Sequence, residues 1–316
     1  MSYRGRFAPS PTGAAHLGTA RTALVAWLRA RQAGGRLVMR IEDLDAPRVV
    51  PGASEAMLED LRWLGLDWDE GPDVGGDFGP YAQSERFERY AAALEVLKAS
   101  GHVYPCTCSR KEIALIASAP GAPNQEPGEE MVYPGTCRDR PTHPERAASW
   151  RFRMDGYPAF SDAVYGEVRD GAQGDFVVAR ADGVFAYQLA VVVDDRDMRI
   201  TDVVRGQDLL GSTSRQLALF AALGAAPPSY LHVPLVLDAS GERLGKRHAS
   251  LSIAALRDAG RTAEDLIGLL ARSLGQEVGP LRASELVAQF DLRDVGTTPS
   301  AGLEPGGQPL GEASER

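Results

Sequence analysis

Residues 6–21 read RFAPSPTGAAHLGTAR. Arg6 and Phe7 end a short strand-like run, and Pro9, Pro11 and Gly13 turn the chain sharply. His16 and Gly18 then stand where a helical pattern starts. A strand that turns abruptly into a helix leaves that helix's first N–H groups and its positive dipole end free for an anion. Small residues at such a turn let a nucleotide approach the backbone closely, and each proline stiffens the turn by fixing φ. A histidine beside a phosphate can donate a hydrogen bond to charge that grows during phosphoryl chemistry. On its own the stretch reads equally well as an ordinary strand–helix turn with a capping histidine.

Working outward, residues 20–35 carry Leu24, Trp27, Leu28 and Arg31 at helical spacing, and Gly34-Gly35 stops the helix. RLVMRIED (36–43) reads as a buried strand ending in charge. SEAMLEDLRWLGL (54–66), with Ser54 as its expected N-cap, and SERFERYAAALEVLKASG (84–101) read as amphipathic helices. Strand, helix, strand, helix is the order of an α/β fold with a parallel sheet. The rhythm breaks over 102–185, which holds all three cysteines and a loop rich in Pro, Gly and Glu. That segment reads as an insertion between a first catalytic half, 1–101, and a second, 186–250. In the second half FAYQLAVVVDD (185–195) and RITDVVRG (199–206) are expected as strands and SRQLALFAALG (214–224) as a helix. Residues 251–292 are helical in pattern. The stretch 293–316, rich in Gly and Pro, is expected to be disordered.

The chain has 316 residues, 44% of them hydrophobic, enough for a large core. Its net charge of −9 excludes a generally basic nucleic-acid scaffold, so RNA contacts would need local basic patches. No apolar run reaches the roughly 20 residues needed to span a bilayer. The N-terminus lacks a hydrophobic signal core, and three clustered cysteines do not make a disulfide framework. A reducing cytoplasm is the expected compartment, a monomer the expected state, and no membrane partner is expected.

A second motif, LVLDASGERLGKRHASLSI (235–253), sets Arg243, Lys246 and Arg247 around Gly241 and Gly245, a basic loop able to close over phosphates. Together the two motifs resemble the two signatures of class I aminoacyl-tRNA synthetases. RFAPSPTGAAHLG resembles the glutamyl form of the first. RLGKR is similar to the second, with Arg243 in place of a lysine and Gly245 in place of a serine. RIEDLDAPR, YAQSERF, FAYQLAVVVDD, VVRGQDLL and LHVPLVLD extend the likeness over about the first 250 residues. RIEDLDAPRVVPGA (40–53), YPCTCSRKEI (104–113) and YPGTCR (133–138) look most like the glutamyl-Q tRNA(Asp) synthetases, and no anticodon-binding region is expected in the stretch after the lysine loop.

The resemblance implies a Rossmann-like class I catalytic domain, an inserted zinc-containing α+β subdomain and a short C-terminal helical region. It implies activation of L-glutamate with ATP and Mg²⁺, then transfer of the glutamate to the queuosine base in the anticodon loop of tRNA(Asp). Arg6, Ala8, Ser10, Glu42, Tyr187 and Arg205 would line the glutamate site. Glu42 would take the ammonium, and Arg205 or Arg6 a carboxylate, favouring glutamate over glutamine. His16 and Lys246 would be the catalytic pair on ATP's phosphates, with Gly18 beside them. Cys106, Cys108 and Cys137 would hold one Zn²⁺, with Tyr133 as fourth ligand in the family. By chemistry alone His102 and His143 stand as alternatives. Arg110, Lys111, Arg138 and Arg140 would be available to RNA phosphates. The competing readings are a shortened glutamyl-tRNA synthetase charging tRNA(Glu) and a non-catalytic tRNA-binding paralogue.

Overall fold

The computed structural model describes residues 2–117, 132–169, 174–237 and 251–301. In chain order the elements are β1 (Arg4–Phe7), α1 (Leu17–Gln32), β2 (Arg36–Met39), α2 (Ala53–Trp63) and α3 (Phe87–Ala99). Next come β3 (Val103–Cys106), α4 (Arg110–Ala117), β4 (Ser149–Phe152), β5 (Phe160–Asp162), β6 (Gly166–Val168) and β7 (Phe176–Ala179). Then follow α5 (Tyr187–Asp197), β8 (Asp202–Gly206), α6 (Thr213–Ala222), β9 (Ser229–Val233) and β10 (Val236–Leu237). The described part closes with α7 (Ile253–Asp258), α8 (Ala263–Arg272), α9 (Ala283–Leu286) and β11 (Ser300–Ala301).

The six-stranded sheet runs β2-β1-β8-β9-β5-β6, parallel except for β6 at the edge. Strands alternate their side chains between faces. Phe7, Leu37, Met39, Val204 and Leu231 therefore form one apolar face, against which α1 packs Leu17, Leu24 and Leu28. Deleting the fully buried Leu24 side chain would cost about 2–5 kcal/mol. The opposite face carries Arg6, Arg40, Arg205, His232 and Asp162, one from each of five neighbouring strands or their ends. Helix α5 meets that face through Asp194 and Asp195, and shares its own core with α3, α6 and the three-stranded sheet β3-β4-β7.

Three local expectations change. FAYQLAVVVDD forms helix α5 after Phe185 and Ala186, not a strand. Every residue from Leu189 to Asp195 is buried, so the helix has no polar face and its periodicity vanishes. Two acidic residues near its C-terminus oppose the helix dipole, but buried arginines compensate them. Asp194 accepts from Arg86 at 2.5 Å and Gln83 at 2.8 Å, and Asp195 accepts from Arg40 at 2.7 Å. Ser54 is not the cap of α2; Gly52, at φ +76°, precedes the first helical residue Ala53. Strands β5 and β6, inside the 102–185 segment, join the large sheet, so that segment is not a self-contained insertion. Among the described residues no helix is long and apolar enough to cross a membrane.

Candidate active site

The turn after β1 is fastened by its own carbonyls. Pro9 accepts from Glu42 N–H and Pro11 from Val50 N–H, both at 2.9 Å. Gly13 sits at φ +147°, where a side chain would be strained. His16 is the N-cap of α1, and its Nδ1 accepts from Thr19 N–H at 3.3 Å. Gly18 stands in the first turn because a Cβ there would lie 3.2 Å from the His16 ring. The capping role weighed from sequence is therefore what His16 performs here, and the same ring faces the cavity.

That cavity, about 650 Å³, is lined by Arg6, Ala8, Ser10, His16, Gly18, Glu42, Tyr187 and Arg205 among others. Eight residues expected from sequence to bind glutamate or ATP are thus brought together at the C-terminal ends of parallel strands, the usual place for ligands in such sheets. Lys246 lies outside the described residues. The described chain leaves off at Leu237 and resumes at Leu251; Val236 lines the cavity and Ser252 bridges to His16.

The cavity has two charged walls. One is lined by Glu42 and Arg6, and behind it Arg40, its guanidinium fully buried, donates to Asp195 at 2.7 Å and to Glu42 at 3.2 Å. Arg6 also reaches Asp195, at a longer 3.4 Å. Burial raises the Glu42 carboxyl above its usual range, against the pull of Arg40 and Arg6. A ligand ammonium there would restore its charge. Asp195 is held low: burial opposes it, but the two arginines prevail. On the other wall Arg205 donates to His232 Nε2 at 3.0 Å, Gln216 Oε1 at 2.7 Å and Thr213 Oγ1 at 2.8 Å. A carboxylate between these walls would meet a guanidinium on either side, and an ammonium would meet Glu42. Arg40, Asp195, His232 and Asp162 had no role in the sequence reading. For Arg40 and His232 the signal is in the sequence: charged or polar groups embedded in the apolar runs RLVMRIED and SYLHV must be paired when buried.

The cysteines gather away from this cavity. The sulfurs of Cys106, Cys108 and Cys137 all lie within 4.8 Å of one another. The Tyr133 hydroxyl is 3.3 Å from Cys106 Sγ and 3.5 Å from Cys108 Sγ, and Cys108 and Cys137 sulfurs are 3.5 Å apart. Zn–S bonds of about 2.3 Å and Zn–O bonds of about 2.0–2.2 Å in a tetrahedron require ligand separations of about 3.5–3.8 Å. The Cys108–Tyr133 and Cys108–Cys137 separations match that spacing, and the Cys106–Tyr133 pair lies slightly inside it. His143 faces Glu112 at 3.2 Å, and His102 bonds Ser100 at 2.7 Å, so both alternatives point elsewhere. Arg151 donates to Cys106 Sγ at 3.2 Å. Burial raises the Cys137 thiol, yet hydrogen bonds from Thr142 and Thr107 bring it down to about 5. Of the basic residues expected to meet RNA, Arg138 is spent on Asp175 at 2.6 and 2.7 Å, whereas Arg110, Lys111 and Arg140 are exposed.

The parallel sheet, the proline-stiffened turn and the cavity at its mouth define a class I tRNA synthetase catalytic domain. The model of the family described as tRNA synthetases class I (E and Q), catalytic domain, matches residues 2–293. The relatives narrow this, and the chain belongs to the family of the glutamyl-Q tRNA(Asp) synthetases. It is 54% identical to the glutamyl-Q tRNA(Asp) synthetase of Nitratidesulfovibrio vulgaris, over 86% of each chain. It is 52% identical to that of Symbiobacterium thermophilum, over 93% of this chain and 94% of the relative. The glutamate–tRNA ligase of Dehalococcoides mccartyi is 45% identical, and the match covers 93% of this chain but 61% of that protein. A crystal structure of a glutamate tRNA ligase from Elizabethkingia meningosepticum in complex with its amino acid superposes with a TM-score of 0.81. It is 30% identical, and the match covers 95% of this chain and 67% of that one.

Proposed function

We propose that the chain activates L-glutamate with ATP and transfers it to the queuosine base in the anticodon loop of tRNA(Asp). The observation that carries the activation half is the paired walls of one cavity: Glu42 on an arginine network, facing Arg205 and Tyr187, beside the N-terminus of α1. The identity of the acceptor rests on the relatives, which are more alike over mutual length than the glutamate–tRNA ligases are.

Glu42 takes the substrate ammonium, and Arg6 and Arg205 take its side-chain carboxylate. Glutamine, lacking that charge, leaves a buried cation uncompensated. ATP lies with its phosphates toward His16 and the Gly18 backbone, and Mg²⁺ comes with the nucleotide as counter-charge. The α-carboxylate oxygen attacks the α-phosphorus, and pyrophosphate leaves. His16 donates to the phosphate charge as it grows; catalysis here is positioning and electrostatics. Lys246, which lies outside the described residues, would be the second cation on those phosphates. A hydroxyl of the queuosine cyclopentenediol then attacks the adenylate carbonyl, and AMP leaves. An anticodon base can reach such a cavity because loop bases unstack and are read at their edges. Cys106, Cys108, Tyr133 and Cys137 would hold one structural Zn²⁺, which ties the chain after β3 to the segment before β4. Arg110, Lys111 and Arg140, on that same part of the surface, are available to RNA phosphates.

The test is the position of the ester. Purified protein, ATP and radiolabelled glutamate are incubated with tRNA(Asp) bearing or lacking queuosine and with tRNA(Glu). After nuclease digestion the label should travel with the modified base. Label on a 3′-terminal adenosine would replace this reading with a shortened glutamyl-tRNA synthetase. Absence of glutamate-dependent pyrophosphate exchange would leave a tRNA-binding paralogue.

A further inference from the structure

His232 is fully buried in the centre of the sheet, on β9 beside Arg205 on β8. Its Nδ1 lies 2.7 Å from Asp162 Oδ2, and its Nε2 accepts from Arg205 Nε at 3.0 Å. Asp162 is itself pinned: Oδ1 accepts the Val164 and Tyr165 N–H groups at 3.0 Å, and Oδ2 also accepts His232 N–H at 3.1 Å. An ionised carboxylate so held accepts only, so it keeps the imidazole proton on Nδ1 and leaves Nε2 bare. Arg205 Nε–H needs that bare nitrogen. The imidazolium form would set N–H against N–H, and burial with the Arg205 charge beside it lowers the His232 pKa, so the ring is neutral.

The consequence reaches the cavity. Arg205 spends Nε on His232, one Nη1 hydrogen on Gln216, and its Nη2 hydrogens on Thr213 Oγ1 and the Leu209 carbonyl. Among the described residues one Nη1 hydrogen is left for a ligand, and its direction is set by the guanidinium plane. We infer that Asp162 and His232 are positioning residues for substrate selection: the Asp162–His232 pair fixes the tautomer that locks the plane of Arg205, and so the direction in which Arg205 meets a side-chain carboxylate. Neither residue touches the cavity. The inference rests on the proposed role of Arg205 in glutamate binding.

The test uses the full chain in glutamate-dependent ATP–pyrophosphate exchange. Asp162→Asn offers Nδ1 an amide donor and so favours the wrong tautomer. It should raise KM for glutamate about 10-fold or more, as expected for a lost hydrogen bond to a charged group. KM for ATP should stay unchanged, and the preference for glutamate over glutamine should fall. His232→Gln, whose amide oxygen replaces Nε2 as acceptor, should keep most of that preference, whereas His232→Ala should lose it. A merely structural pair would lower the melting temperature without splitting the two KM values. Unchanged glutamate KM and selectivity in folded Asp162→Asn would overturn the inference. Nitrogen-15 spectra of the unaltered protein test the pair independently of any reaction: protonated Nδ1 and bare Nε2 are expected for the resonance missing in His232→Gln, and the reverse tautomer would refute it. If that spectrum is as expected but no exchange occurs, the functional reading fails while the tautomer stands.

Discussion

Arg6 meets Asp195 at 3.4 Å, on the same oxygen that Arg40 holds at 2.7 Å. Arg6 is thus the looser partner of a carboxylate already satisfied. Its other bond, to the Val204 carbonyl, is 3.5 Å long. Among the described residues most of its N–H donors remain for a ligand, whereas Arg205 has committed nearly all of its own. Arg6→Ala should therefore lose glutamate activation with little loss of stability. Removing a buried charge partner costs about 2–5 kcal/mol, a fall in kcat/KM of roughly 30-fold or more. Arg205→Ala should lose both, since it strands His232, Gln216 and Thr213. Pyrophosphate exchange beside thermal melting separates the two; an active Arg6→Ala would remove Arg6 from the site.

The tyrosine among the cysteines makes a second prediction. The purified protein should carry about one zinc per chain. Tyr133→Phe keeps the ring that Arg151 covers at 3.9 Å and removes only the hydroxyl. It should surrender zinc to a chelator at least about tenfold more readily, and Cys108→Ser more readily still. Metal analysis with chelator competition measures both. A metal-free protein of full activity would reject a required zinc, and unaltered retention in Tyr133→Phe would reject the fourth ligand.

Glu70 gives a pH prediction. Its buried carboxylate takes two 2.7 Å bonds from Arg4 and one of 2.6 Å from Tyr81. The hydrogen bonds from Arg4, opposed by burial and helped by Tyr81, lower its pKa from 4.5 to about 2. The folded value is the lower one, so this stability is present above pH 4.5 and is lost as pH falls toward 2. With solvent screening discounted it amounts to on the order of 1–2 kcal/mol. Denaturant titrations should show Glu70→Gln less stable than the unaltered chain at pH 7, with the gap narrowing below pH 4.5. A gap independent of pH would contradict the assignment.

Much of this was legible in the sequence because turn and helix-start chemistry is local. Pro9, Gly13, His16 and Gly18 constrain one another within ten residues, and the cavity formed where they pointed. Glu42 and Arg205 are reached through the resemblance that RIED and VVRG carry, and both lie at or just past the C-terminal ends of strands of the large sheet. Helix α5 was not legible. Its three valines favour a strand, and complete burial erased the 3.6-residue pattern that would have corrected the reading. Strands β5 and β6 have three residues each, too few for alternation to register. Asp162 and His232 lie 70 residues apart and meet only through β5 on β9, a pairing that no local rule announces.

The sheet order also sets a timetable for synthesis. β1, the first strand made, takes β2 on one side soon after, but its other edge waits for β8, nearly two hundred residues later. At about 5–20 residues per second, the ribosome leaves that edge open for roughly 10–40 s. Arg6 spends this interval with neither Asp195 nor the Val204 carbonyl available. A nascent chain halted before β8 would carry the whole proline-stiffened turn and still hold an unsatisfied strand edge, the kind of surface that chaperones cover and that aggregates when they do not.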